Sequence, residues 1–156
     1  MLELENLSGY ELDSVLFDEI FATLANTYMP SLAPSLCLEV LITDSAHMRE
    51  INKAHRNQDK PTDVLSFPLS VEYTDVPTQC TLSLGSVVLN AELAQKVARE
   101  LGHTLEDELK LLFIHGLLHI FGFDHECDDG AHRREECGWI ERFCLPKSLI
   151  ERSDCV

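Results

Sequence analysis

The sequence has few basic residues. Its 156 residues contain 12 Lys and Arg against 27 Asp and Glu, a formal net charge of −15 with histidine neutral. No Lys or Arg precedes Arg49. This excludes a broad basic face that grips nucleic acid without regard to sequence. The basic residues between Arg49 and Lys60 still provide a small cationic patch that can position a phosphate.

Long apolar runs are also missing, and the sequence does not predict a targeting signal. No apolar run reaches the roughly 18 residues of a transmembrane helix, and the start of the chain is acidic where a secretory or transit peptide is basic. The composition, 45% hydrophobic, is enough to bury a core. The six cysteines include no C-x-x-C pair, so we expect free thiols. We expect one domain over residues 1–156, soluble and cytoplasmic, with no membrane partner.

Hydrophobic periodicity predicts a mixture of helices and strands. The helices are expected over residues 11–28, 45–57, 91–101, 105–121 and 129–143, and the strands over 36–43, 62–67 and 82–89. Asp44 and Thr104 are candidate helix caps, Gly85 is a candidate bulge, and residues 72–79 are predicted to form a loop. Because strands and helices do not alternate strictly, we expect an α+β fold with a small mixed sheet packed by several helices.

Three of the seven histidines lie within eleven residues. His115 and His119 are four residues apart on a predicted helix, so both imidazoles project from one face about 6 Å apart at Cβ. Gly122 can adopt positive φ and end the helix, which allows the chain to bring His125 to the same point. Three neutral imidazoles leave one coordination position of a zinc ion open, as in catalytic sites. We interpret the other four as surface residues: His47, His55, His103 and His132.

The spacing H-x-x-x-H-x-x-G-x-x-H is also that of a class of zinc peptidases. Those enzymes carry a glutamate general base directly after the first histidine, where this chain has Gly116. No methionine follows His125 to form a Met-turn, since the methionines are Met1, Met29 and Met48. A peptidase is therefore disfavoured.

Two blocks of sequence resemble the YbeY metalloendoribonucleases, the bacterial rRNA-maturation factors. The first is His115-Gly-Leu-Leu-His119-Ile-Phe-Gly122-Phe-Asp-His125, and the second runs from Asn52 through Arg56 to Pro61-Thr-Asp-Val-Leu-Ser-Phe-Pro68. The resemblance implies a zinc ion held by the three histidines and cleavage of single-stranded RNA in 16S rRNA 3′ maturation and ribosome quality control. The implied partners are the 16S rRNA precursor, ribosomal proteins and the 30S subunit.

The resemblance assigns His115, His119 and His125 as metal ligands, with Arg56 and His115 as the candidate catalytic residues. Arg56 corresponds to a family arginine that faces the RNA phosphate; the alternative is a solvated cation at a helix end. Two positions depart from the family: Phe123 replaces a tyrosine, and Ser86 replaces an aspartate that can act as an outer anchor of the site.

Two smaller points stay open in the sequence. The Thr62-Asp63 turn is either turn chemistry or an anchor for Arg56 or a ligand histidine, and Asp124 and Glu126 either orient His125 or cap a helix end. The functional alternative to a zinc ribonuclease is a ribosome-associated assembly factor whose metal is structural.

Overall fold

A four-stranded mixed sheet forms one layer of the protein. The computed structural model describes residues 1–70 and 80–146. The sheet has the order β1-β2-β4-β3, in which β1, β2 and β4 are parallel and β3 is antiparallel to β4. The strands are β1 Leu2–Asn6, β2 Leu36–Thr43, β3 Val64–Pro68 and β4 Leu82–Asn90. The predicted α+β class with a small mixed sheet is confirmed.

The described residues form five α-helices, of which α2, α3 and α4 contact the sheet and α5 packs on α4. They are α1 Asp18–Tyr28, α2 Ser45–Arg56, α3 Ala91–Leu101, α4 Leu105–Ile120 and α5 Ala131–Arg142, with a 3-10 turn at Ala33–Ser35. α4 packs on one face of the sheet and is buried nearly all round, as is expected of a helix without a polar face. α2 packs on the opposite face, where Met48 meets Leu65 and Val88.

Local sequence signals set most of the boundaries near the candidate site. The Asp44 carboxylate accepts the His47 N–H at 2.8 Å, and the Thr104 hydroxyl accepts the Asp107 N–H at 3.1 Å, so both predicted caps are confirmed. Asn57 adopts φ 54° at the end of α2 and thereby places Arg56 at the helix terminus.

The bulge predicted at Gly85 is confirmed. The register between β2 and β4 shifts after Cys37, and Gly85 adopts φ 122° there. A side chain at this position would place its Cβ 2.0 Å from the Phe67 carbonyl oxygen, so only glycine fits. The cysteines in the described residues are free thiols, as expected, and Cys155 lies outside those residues.

Two elements differ from the sequence-based expectation. The first helix begins at Asp18 rather than near residue 11, because the Asp13 carboxylate accepts the Val15 N–H at 3.1 Å and holds the preceding residues in a turn. Strand β1 was not predicted at all. Its Leu-Glu-Leu-Glu alternation is that of a strand, but its pairing with β2 is a long-range contact. The loop predicted over residues 72–79 lies outside the described residues.

Within residues 1–70 and 80–146, no helix combines the length and the apolar composition required to cross a bilayer.

Candidate metal centre

Helix α4 presents His115 and His119 on the same side, one turn apart. Their ring centroids are 5.0 Å apart. The rest of this part of the helix is deeply buried, with Ile114, Leu117 and Leu118 fully inaccessible to solvent. These buried apolar side chains fix the helix, and so they also fix the positions of the two imidazoles on its other side.

The chain reverses at Gly122 and brings His125 back to this pair. Gly122 has φ 97°, and the Phe123 N–H donates to the Leu118 carbonyl at 3.0 Å, which closes the end of α4. The His125 ring lies 5.2 Å from that of His115 and 5.3 Å from that of His119. The three histidines singled out in the sequence therefore converge.

A fourth imidazole, His132, joins the cluster, so its interpretation as a surface residue was wrong. His132 is fully buried in the first turn of α5, 4.7 Å from the rings of His115 and His119 and 5.4 Å from that of His125. One nitrogen from each of the four rings lies within 4.8 Å of the others, so the group can hold a metal ion. The sequence signal for a buried His132 is its helical spacing with Glu136, Trp139 and Ile140. These four residues form the buried face of α5.

His103 is also not a simple surface residue. Its Nε2 lies 2.6 Å from the buried Glu108 carboxylate, and its side chain is only 10% exposed. His103 contacts α4 through Glu108 and lies outside the histidine cluster. His55 is exposed, as expected, and packs on Phe67.

The fully buried Glu136 hydrogen-bonds to one ring nitrogen of His115. Its Oε1 lies 2.9 Å from His115 Nδ1, and because a carboxylate only accepts, Nδ1 carries the proton and Nε2 keeps its lone pair. An acceptor on the far ring nitrogen is the usual outer partner of a metal-bound imidazole. Glu136 was not among the site residues expected from the sequence.

Two imidazoles of this cluster, those of His119 and His132, have a pKa below the ordinary value for histidine. Burial, followed by the neighbouring rings of His115 and His119, lowers the pKa of His132 to about 4. Burial, followed by His115 and His125, also lowers the pKa of His119. A lowered pKa favours the neutral form of these two imidazoles, and a neutral imidazole has the free lone pair that a metal requires.

Arg56 lies in the same cavity as the histidines. A cavity of about 510 Å³ is lined by Arg56, by the edge strand β3 and by His115, His119 and His125. Arg56 is exposed at the end of α2 and makes no ion pair with any residue in the described ranges. By contrast, Arg49 and Lys53 of the same helix both contact the Asp59 carboxylate, at 2.7 and 3.7 Å.

Asp63 and Asp124 form local hydrogen bonds, and together with Glu126 they also line the histidine cavity. The Asp63 carboxylate accepts the Val64 N–H at 2.8 Å and the Thr62 hydroxyl at 3.3 Å, so it forms a turn and does not hold Arg56 or a histidine. Asp124 accepts the Glu126 N–H at 3.1 Å in the loop before α5. Ser86 lines a separate groove with Glu3, Glu5 and Glu39, away from the histidine cavity.

Gly116 faces the sheet rather than the cavity. A Cβ at this position would lie 2.9 Å from Ser66 Oγ, 3.0 Å from Val87 Cγ1 and 3.1 Å from Val64 Cγ2. A glutamate general base therefore has no space there, which agrees with the sequence argument against a peptidase.

Comparisons with known proteins agree with this geometry. The family model described as endoribonuclease YbeY matches residues 5–137. Curated proteins named endoribonuclease YbeY include one from Aliarcobacter butzleri, 42% identical over 98% of this chain and 99% of its own length. The corresponding protein of Helicobacter pylori strain J99 is 48% identical over 98% of both chains.

A solved structure has a similar fold. The solution structure of a protein from Thermotoga maritima is 28% identical to this chain, with a TM-score of 0.58 over 90% of this chain and 87% of its own. The chain therefore belongs to the endoribonuclease YbeY family of RNA-cleaving hydrolases.

Proposed function

We propose that this protein is a zinc-dependent endoribonuclease that cleaves single-stranded RNA in 16S rRNA 3′ maturation and ribosome quality control. The ligands are His115, His119 and His125, with one zinc ion per chain. The observation that carries the proposal is the convergence of these three rings, 5.0 to 5.3 Å apart, in a cavity that Arg56 also lines. The identity of the RNA follows from the family resemblance.

The residues present fit a zinc ion. The donor set is all imidazole nitrogen, which suits zinc better than magnesium or calcium, since those ions prefer oxygen. The buried Glu136 Oε2 has no hydrogen-bond partner among the described residues, although Oε1 holds His115. A buried carboxylate is costly without positive charge nearby, and a cation bound by His115 would provide it.

Bound zinc supplies a Lewis acid that polarises a water molecule or a phosphoryl oxygen. Glu136 holds the His115 proton on Nδ1, so Nε2 is the nitrogen with which His115 would hold the ion. Arg56 offers its planar fork to two phosphate oxygens as negative charge increases on the phosphorus. Loss of one such stabilising group typically lowers the rate about 10²- to 10³-fold.

The charge of the protein favours RNA presented by a partner. With a net charge of −15, and with Arg49 and Lys53 both engaged by Asp59, little free positive charge surrounds the cavity. We therefore expect the 30S subunit or its basic ribosomal proteins, in the cytoplasm, to offset the repulsion between an acidic protein and RNA.

The test compares Arg56→Ala with Arg49→Ala, which removes the same side chain from the same helix but outside the cavity. Cleavage of a single-stranded RNA with zinc present should fall about 10²- to 10³-fold for Arg56→Ala and stay near wild type for Arg49→Ala. Equal rates for the two variants would contradict the role of Arg56. Full cleavage by protein freed of zinc with a chelator would contradict the metal mechanism.

The second candidate is an assembly factor with a structural metal. The observation that favours it is the fourth histidine, because structural zinc sites have four protein ligands. His119→Ala separates the two functions. A folded variant that loses only RNA cleavage favours the enzyme, whereas a variant that unfolds while wild-type protein shows no zinc-dependent cleavage favours the assembly factor.

A further inference from the structure

Helix α5 places His132 beneath the other three histidines. Gly130 turns the chain into the helix with φ 85°, and the Asp128 carboxylate accepts the His132 N–H at 2.8 Å. Trp139 and Ile140, two turns further along, are buried in the main core and fix the helix. The position of His132 is therefore set by the fold of α5 on α4 and not by a flexible loop.

The hydrogen bonding of His132 leaves one buried nitrogen available. Its Nε2 lies 3.2 Å from the His115 carbonyl oxygen, and because a carbonyl only accepts, Nε2 carries the proton. Nδ1 then keeps its lone pair. That nitrogen is buried and has no hydrogen-bond partner among the described residues. A buried acceptor without a partner is uncommon in folded proteins and calls for an explanation.

The four rings are arranged as a near-regular tetrahedron. Their six centroid separations run from 4.7 to 5.4 Å. Four imidazoles bound tetrahedrally at Zn–N distances of 2.0–2.1 Å have centroids about 5 Å apart. Packing alone would not require His132 to be nearly equidistant from the three residues of the sequence motif, whereas a shared ion would.

From this geometry we infer that His132 Nδ1 is a fourth ligand of the bound metal. The inference rests on the proposed zinc centre and adds a ligand from outside the H-x-x-x-H-x-x-G-x-x-H motif. A bound ion would then be surrounded by four imidazoles, so a phosphoryl oxygen of RNA would have to displace one imidazole or add as a fifth ligand.

Nuclear magnetic resonance of protein with ¹⁵N-labelled histidine tests this without a substitution. Adding one equivalent of zinc should move His132 Nδ1, together with one nitrogen each of His115, His119 and His125, from the free lone-pair position to the metal-bound position. If the three motif nitrogens move and His132 Nδ1 does not, the inference is wrong and the proposed zinc site stands. If none moves, the zinc site itself is wrong.

Two substitutions provide an independent measurement. His132→Phe keeps a ring without a lone pair, and His132→Gln keeps a polar side chain if the first variant does not fold. Zinc affinity, measured by competition with a chelator, should fall at least about tenfold. Loss of a residue that only hydrogen-bonds to a metal ligand already costs about that much, and loss of a ligand should cost no less. His55→Phe, an exposed histidine outside the cluster, should bind zinc like wild type. Wild-type affinity in a folded His132 variant would overturn the inference.

Discussion

Replacing Gly116 by alanine tests how closely α4 approaches the sheet beside the candidate metal centre. The added Cβ would lie 2.9 Å from Ser66 Oγ and 3.0 and 3.1 Å from methyl carbons of Val87 and Val64. The first distance is shorter than real contacts allow, and the other two are tight. Either α4 moves away from the sheet or the Ser66 side chain rotates.

The expected cost can be worked out from these contacts. Overpacking a core typically costs about 1–3 kcal/mol. Rotation of Ser66 would also break its hydrogen bond to the Gly116 carbonyl, 3.0 Å long, at about 1 kcal/mol. The gain in helix propensity from glycine to alanine, about 1 kcal/mol, offsets part of this loss. We expect a net loss of about 1–3 kcal/mol, with Tm lowered about 2–4 °C for each kcal/mol in a domain of this length.

Gly138→Ala is the matched control. This glycine also lies inside a helix, but a Cβ there meets no heavy atom within 4 Å, so its substitution should stabilise the protein by about 0.5–1 kcal/mol. Urea unfolding of both variants in the presence of a chelator gives the two free energies without a contribution from metal. A Gly116→Ala variant stabilised as much as the control would refute the close approach of α4 to β3.

Three further predictions concern the metal and its supports. Glu136→Gln removes the charge that holds His115 and should weaken zinc binding about tenfold or more in a chelator competition; wild-type affinity would contradict this role. Asp44→Ala removes the cap on the His47 N–H and should cost about 1 kcal/mol in urea unfolding with zinc affinity unchanged, so an unaltered free energy of unfolding would count against the cap. At a free zinc concentration 100 times the Kd for zinc, removal of zinc with a chelator should lower the free energy of unfolding by about 2.7 kcal/mol. A Tm insensitive to the chelator would argue against a zinc site in the folded state.

The features that the sequence did not predict depend on contacts outside the histidine motif. Local periodicity indicates apolar faces, but it does not indicate which distant element lies against them. β1 gains its strand geometry from pairing with β2, and the start of α1 depends on a turn at Asp13 that competes with the helix. In the sequence, His132 and Glu136 are polar residues of a predicted final helix, and only the packing of α5 against α4 buries them.

The sequence by itself determined the part of the site that is local. A four-residue spacing places His115 and His119 on one helix face at 3.6 residues per turn, and a glycine able to adopt positive φ returns the chain to them at His125. Only the tertiary structure decided that Arg56, at the end of another helix, shares their cavity and that His132 completes the cluster. The first contact depends on how α2 and α4 pack on either side of the edge strand β3, and the second depends on how α5 packs on α4. No periodicity within a single segment carries that information.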